Sequence, residues 1–129
     1  MDKTISYLRI VFHILTLLLI ILSLYPGSIL GFLIYGSFDT QPQISEDFLH
    51  ISTTHFYVYF FLSAIGFFSY LKDKKFKLIV IYLFFLSLIL EIVHSVIPER
   101  GFQISDLIGN ILGVLMCYIV VLIYKFWKK

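Results

Sequence analysis

Across 129 residues this chain has one cysteine, three prolines and charged side chains at only 14% of positions. Each scarcity excludes something. Cys117 stands alone, so no internal disulfide can form and the redox compartment cannot be read; inside its apolar run it serves as a small hydrophobe. No CxxC, Walker loop, GxGxxG or GxSxG pattern occurs, which leaves the familiar signatures of redox, nucleotide and nucleophile-elbow sites unmatched. The net charge of +2 comes from residues parked at the ends of apolar segments, a poor basis for nucleic-acid binding. What abounds is hydrocarbon. A 60% hydrophobic content and a mean hydropathy of +0.96 far exceed the apolar share of about 45–50% in soluble domains. A bilayer core about 30 Å thick takes around 20 helical residues per crossing. The expectation is therefore all-α: a single domain, residues 1–129, forming a four-transmembrane-helix bundle.

The first span is expected at about 4–25, stopped by Pro26-Gly27, with Arg9 close enough to its start to snorkel back to water. No small-x-small cleavage pattern follows Leu24, which favours a retained anchor over a signal peptide. Residues 26–47 alternate apolar pieces with turn and polar residues. The piece Ile29 to Tyr35 is too short to span and is expected at the interface or against the bundle. Further spans are expected at about 51–71, 78–97 and 105–124. The second and third are joined by the tight hairpin Lys72-Asp73-Lys74-Lys75-Phe76-Lys77. Sorting basic residues by side puts Lys3, Arg9, Lys72, Lys74, Lys75, Lys77, Lys125, Lys128 and Lys129 together, against Arg100 alone. The positive-inside rule then places both termini in the cytoplasm.

An ionisable group near a helix centre costs about 2.5–3.5 kcal/mol on insertion scales, so each one retained calls for a reason. Glu91 lies seven residues before Pro98, well inside the third span, and His94 shares its face at i+3. On the next span Asp106, Asn110 and Gly113 form one stripe, with Ser105 or Asp106 as the expected N-cap. Arg100 sits in the short connection. The two polar faces are expected to meet, with Arg100 lodged between them and Gly109 and Gly113 allowing close backbone approach. The plain alternative is a hydrogen-bond network that fixes helix register. His55, at the start of the second span, serves equally as an interhelical donor or a site residue. His13 is expected to make a local hydrogen bond and His50 to lie at the interface. Glu91-x-x-His94 has the spacing of di-iron bundles, but the second copy and further glutamates those need are absent. His55, Glu91 and His94 would make a zinc site only if their helices converge; no metal and no cofactor are expected.

The stretch Glu91-x-x-His94-x-x-x-Pro98-x-Arg100-x5-Asp106-x-x-x-Asn110-x-x-Gly113 closely resembles the signature of the VanZ-like family of small bacterial membrane proteins. The departure is His94, where that family more often has Gln. His55-Phe56-x-x-Tyr59-Phe60 resembles an earlier family element, with His50 the other candidate for its histidine, and Ser23-Leu24-Tyr25-Pro26-Gly27 resembles the ending of its first span. The resemblance implies a multi-pass protein of the bacterial plasma membrane and a connection to reduced teicoplanin sensitivity.

Three functions fit these residues. In the first, Glu91, His94, Arg100, Asp106, Asn110 and His55 bind the headgroup of an anionic membrane lipid or lipid-linked envelope precursor, with Arg100 gripping the phosphate and Glu91 orienting Arg100. In the second, Glu91 and His94 act as acid and base in a hydrolase or transferase working on a lipid phosphoester or acyl group. No Ser or Cys nucleophile is evident beside them. In the third, the chain is a helper subunit of a larger membrane-protein partner. No nucleic-acid partner is expected.

Overall fold

Hydrocarbon offers no water to satisfy backbone N–H and C=O groups, so apolar runs close their hydrogen bonds within helices. The computed structural model describes residues 2–128, which leaves Lys129 of the basic set outside. Its elements are α1 (Lys3–Leu24), α2 (Ile29–Tyr35), α3 (Thr53–Ser69), α4 (Phe76–His94) and α5 (Ile104–Trp127). The all-α expectation holds. Helices α1, α4 and α5 are long and apolar enough to cross a membrane. Helix α3 has 17 residues, at the short limit of the usual range of about 17–25.

Helix α3 is shorter than expected because its flanks have other hydrogen-bond partners. Ile51 pairs with Phe48 in an isolated bridge, and the Ser52 N–H donates to the Ser105 carbonyl at 3.1 Å. Between Phe48 and Ile51, Leu49 and His50 both adopt left-handed φ values of 48° and 62°, which make the tight turn. Helix α4 stops at His94 rather than near Ile97. There the Ser95 hydroxyl donates to the Ile92 carbonyl at 2.7 Å, and the chain tightens toward Pro98. The piece Ile29–Tyr35 forms a short helix capped by the Ser28 hydroxyl and by Gly36 in the left-handed conformation.

Consecutive long helices run antiparallel, which gathers the described basic residues other than Arg100 at one end. Arg9 does more than snorkel there. Its Nη2 lies 2.7 Å from Asp73 Oδ2, its Nε donates to the Ser69 carbonyl at 3.1 Å, and its guanidinium stacks 4.3 Å above the Tyr70 ring. His13 meets the Tyr70 hydroxyl at 3.0 Å, the local bond expected of it. Lys125 sits 3.5 Å over the Phe76 ring at the same end.

The core comprises Phe12, Phe67, Leu83, Val114, Cys117 and Val121, all fully buried. Outward faces stay apolar, with Ile14, Leu17, Ile81 and Phe85 exposed, the pattern of a surface that meets lipid. Gly109 and Gly113 do allow close approach, but to α3 rather than to α4. A Cβ at Gly109 would lie 2.5 Å from the Ser52 carbonyl oxygen, and one at Gly113 would lie 2.5 Å from that of Phe56. Helix α5 is thereby pressed against α3, which brings the start of α3 beside the polar stripe of α5.

Candidate functional site

At the end opposite the basic residues, polar side chains from α3, α4 and α5 converge. Glu91, on the last turns of α4, is completely buried, and His94 on the same face is nearly so. Glu91 Oε1 accepts the backbone N–H of Gln103 at 3.0 Å. Gln103 is the N-cap of α5 and makes no side-chain capping bond, in place of the Ser105 or Asp106 cap expected from sequence. A glutamate at the third helical position reaches back to the N-cap N–H in a capping box. Here Glu91 supplies that service from the neighbouring helix, which frees Asp106 in the first turn to face inward.

His94 divides its two nitrogens between helices. Its Nε2 lies 3.1 Å from the Ser23 carbonyl at the end of α1, an oxygen that can only accept, so this nitrogen carries the proton. Its Nδ1 lies 3.2 Å from Glu91 Oε2. That contact is close but misaligned for a ring N–H, and Oε2 is left without a hydrogen-bond partner. The two atoms are close without a hydrogen bond between them.

His55 Nδ1 lies 2.9 Å from Asn110 Oδ1, and its Nε2 lies 3.6 Å from Asp106 Oδ2. Asn110 is buried, and its Nδ2 donates to the Ser87 carbonyl on α4 at 3.3 Å. One amide thus ties three helices together. His50, by contrast, is exposed on the turn before α3. Of the two histidines considered for the first turn region, His55 is the one the fold delivers to the cluster.

Arg100 follows Glu99, which adopts a left-handed φ of 61°. Its Nη2 donates to the carbonyls of Leu22 and Gly27, both at 2.8 Å, and its Nε to that of Tyr25 at 3.3 Å. Partial burial pushes the guanidinium below its usual range, while Glu91 and Asp106 pull the other way. The turn between α4 and α5 is thereby clamped onto the end of α1. Arg100 and Glu91 make no direct hydrogen bond with each other; the Gln103 N–H holds Glu91 instead.

These residues line two adjoining cavities. One, of about 170 Å³, lies among all five helices and includes Ser23, His55, Tyr59, His94, Arg100 and Asn110. The other, of about 230 Å³, is more polar and is bordered by His55, His94, Glu99, Arg100, Asp106 and the loop residue Gln43. An apolar groove along α1 and α3, lined by Leu15, Leu18, Phe61 and Ile65, shares Leu19, Leu22 and Val58 with the first cavity. Sequence reasoning did not reach Gln41, Pro42 and Gln43, which border the cavities from the loop after α2. Three consecutive non-apolar residues in so apolar a chain were the available signal. The carbonyls of Leu22, Ser23 and Gly27 carried none.

A family model described as VanZ/LLP1 matches residues 7–126. No curated protein and no solved structure matches the chain significantly.

Proposed function

The chain belongs to the VanZ/LLP1 family, and on that footing we propose that it binds the headgroup of an anionic lipid or lipid-linked envelope precursor at the outer face of the bacterial plasma membrane. The carrying observation is the continuity of the α1–α3 groove with the first cavity through Leu19, Leu22 and Val58, and of that cavity with the polar one through His55, His94 and Arg100. An amphiphile needs that shape. Its acyl chain would lie in the groove, and its headgroup would meet His55, His94, Asn110 and Arg100. Among the described residues no hydrogen bond uses Arg100 Nη1, which leaves part of a planar cation for a phosphate oxygen. Asp106 and Glu99 share the polar cavity, so a phosphate would enter only where their charge is offset. In this reading α3 is the fourth span, and both termini lie in the cytoplasm with the basic residues.

The experiment is mass spectrometry of lipids retained through gentle detergent extraction. Native protein should retain an anionic lipid. Val58→Trp, which fills the junction of groove and cavity, should lose it while keeping its helical content. Equal retention in both sinks the reading. The phenotype to connect with it is teicoplanin tolerance, measured as growth inhibition of a sensitive host with and without the native chain.

A second reading rests on the 3.2 Å approach of His94 Nδ1 to the unpartnered Glu91 Oε2, two unlike titratable groups beside a cavity. There Glu91 and His94 would transfer protons on a lipid ester. Turnover by purified native protein, abolished in Glu91→Gln, would favour it over binding alone.

A further inference from the structure

Between α3, α4 and α5, one imidazole and two carboxylates meet in an arrangement that protein hydrogen bonds leave incomplete. The Ser87 carbonyl can only accept, so the Asn110 atom facing it at 3.3 Å is the amide nitrogen, and the amide oxygen is turned toward His55. That oxygen in turn requires a proton on His55 Nδ1, 2.9 Å away. In the neutral ring Nε2 is then a bare lone pair, and it points at an acceptor, Asp106 Oδ2, at 3.6 Å. Two electron-rich atoms thus lie 3.6 Å apart. The second carboxylate has the same deficit. Glu91 is fully buried, its Oε1 is held by the Gln103 N–H, and its Oε2 has no hydrogen-bond partner. One donor atom from each of His55, Glu91 and Asp106 lies within 4.8 Å of the other two.

We propose that His55, Glu91 and Asp106 together hold one divalent transition-metal cation, of which zinc is the type, with its fourth position open toward the polar cavity. Zinc bonds nitrogen and oxygen at about 2.0–2.2 Å, which sets neighbouring donors of a tetrahedron about 3.3–3.6 Å apart. The His55 to Asp106 separation of 3.6 Å already meets that, and the remaining separations close by a side-chain adjustment of about 1 Å. One imidazole with two carboxylates suits zinc or manganese. Calcium asks for about 6–8 oxygens, and copper(I) prefers sulfur.

Charge favours the same conclusion. A dication offsets both carboxylates and leaves the imidazole neutral, so the cluster of three donors and cation carries no net charge. The support around the donors is of the kind metal sites use. Asn110 accepts from the ring nitrogen opposite the ligating one, which fixes the tautomer, and the Gln103 N–H holds Glu91 from behind. His94 is not among the three residues whose donor atoms all lie within 4.8 Å of one another. Asp106 therefore takes the place that sequence spacing had suggested for His94. This site does not depend on lipid binding, although a bound cation would supply the positive charge that a phosphate entering beside Asp106 requires.

The test uses the full chain, freed of any affinity tag and of metal, in detergent micelles. After Zn²⁺ addition and desalting, the native chain should retain one zinc per chain by elemental mass spectrometry. Co²⁺ in its place should give the visible absorption bands of a tetrahedral nitrogen and oxygen site. Asp106→Asn and Glu91→Gln should each weaken retention by at least about tenfold, whereas His50→Ala, on the exposed turn, should not. Helical circular dichroism of each variant reports folding. Retention well below one zinc per native chain, or a Co²⁺ spectrum without tetrahedral bands, overturns the site irrespective of how the variants fold. Binding that survives both carboxylate substitutions, or that falls with His50→Ala, overturns it as well.

Discussion

Arg100 reaches across 78 positions of sequence to the Leu22 carbonyl, which its Nη2 meets at 2.8 Å. The last carbonyls of a helix lack intrahelical partners and carry the negative end of its dipole, so a guanidinium there is both a hydrogen-bond donor and a counter-charge. The same side chain reaches Tyr25 and Gly27 and so joins the turn before α5 to the end of α1. It also borders both cavities, which makes the roof of the site and the clamp on α1 one residue.

Arg100→Lys keeps the charge but loses the fork. A single ammonium cannot meet three carbonyls from one position, and charge-assisted hydrogen bonds are worth about 1.5–3 kcal/mol each. The variant should unfold more readily by about that amount, measured as a detergent-denaturation midpoint. An unchanged midpoint would mean that the clamp is not maintained in the folded protein.

Gly113→Ala should loosen α3 from α5. The new Cβ would lie 2.5 Å from the Phe56 carbonyl oxygen and 2.9 Å from the Phe60 nitrogen, both backbone atoms that cannot swing aside. Overpacking of this kind costs about 1–3 kcal/mol. Gly101→Ala, with nothing within 4 Å of the added atom, should be neutral. Thermal unfolding of the two variants side by side checks the contrast.

The Arg9–Asp73 pair should make stability depend on pH at the acid side. The Lys75 backbone N–H, with Arg9 adding to it, holds the Asp73 carboxyl below its usual range. A carboxyl depressed in the folded state contributes fully above its unfolded pKa, and that contribution is lost as pH falls through the folded one. Asp73→Asn should therefore lower the melting temperature at neutral pH, with the gap from native protein shrinking to nothing at strongly acid pH. A gap that is constant with pH would refute the assignment.

The proposed four crossings would put Lys74 inside and Gln43 outside. Variants with one added cysteine at these exposed positions, Lys74→Cys and Gln43→Cys, should react with an impermeant maleimide from opposite faces of inverted and right-side-out vesicles. Cys117 is buried at 2% exposure, so background labelling should be low. Labelling of both from one face would require a different topology.

The polar set was readable because each member is an exception in an apolar chain. Glu91 and Asp106 stand out by type, and the i+3 and i+4 spacings put His94 and Asn110 on the same stripes as those acids. Partner choice was not readable. Gly109 and Gly113 announced a close helix approach, yet which helix came close depended on the rotation of α5 about its axis. The cap of α5 was misassigned to Ser105 or Asp106 for a related reason. Local rules favour a side chain from the same segment, and here Glu91 arrives from another.

Hydropathy and the order of charges along the chain determined by themselves that this is a helical membrane protein with its basic residues segregated, since bilayer thickness and loop charge act on residues one after another. Only the tertiary structure decided that Arg100 closes on α1, that Asn110 links His55 to Ser87, and that Asp106 rather than His94 completes the trio with His55 and Glu91. Backbone carbonyls look alike in every residue, and helix rotation is set by the sum of all contacts, so neither leaves a mark that spacing can reveal.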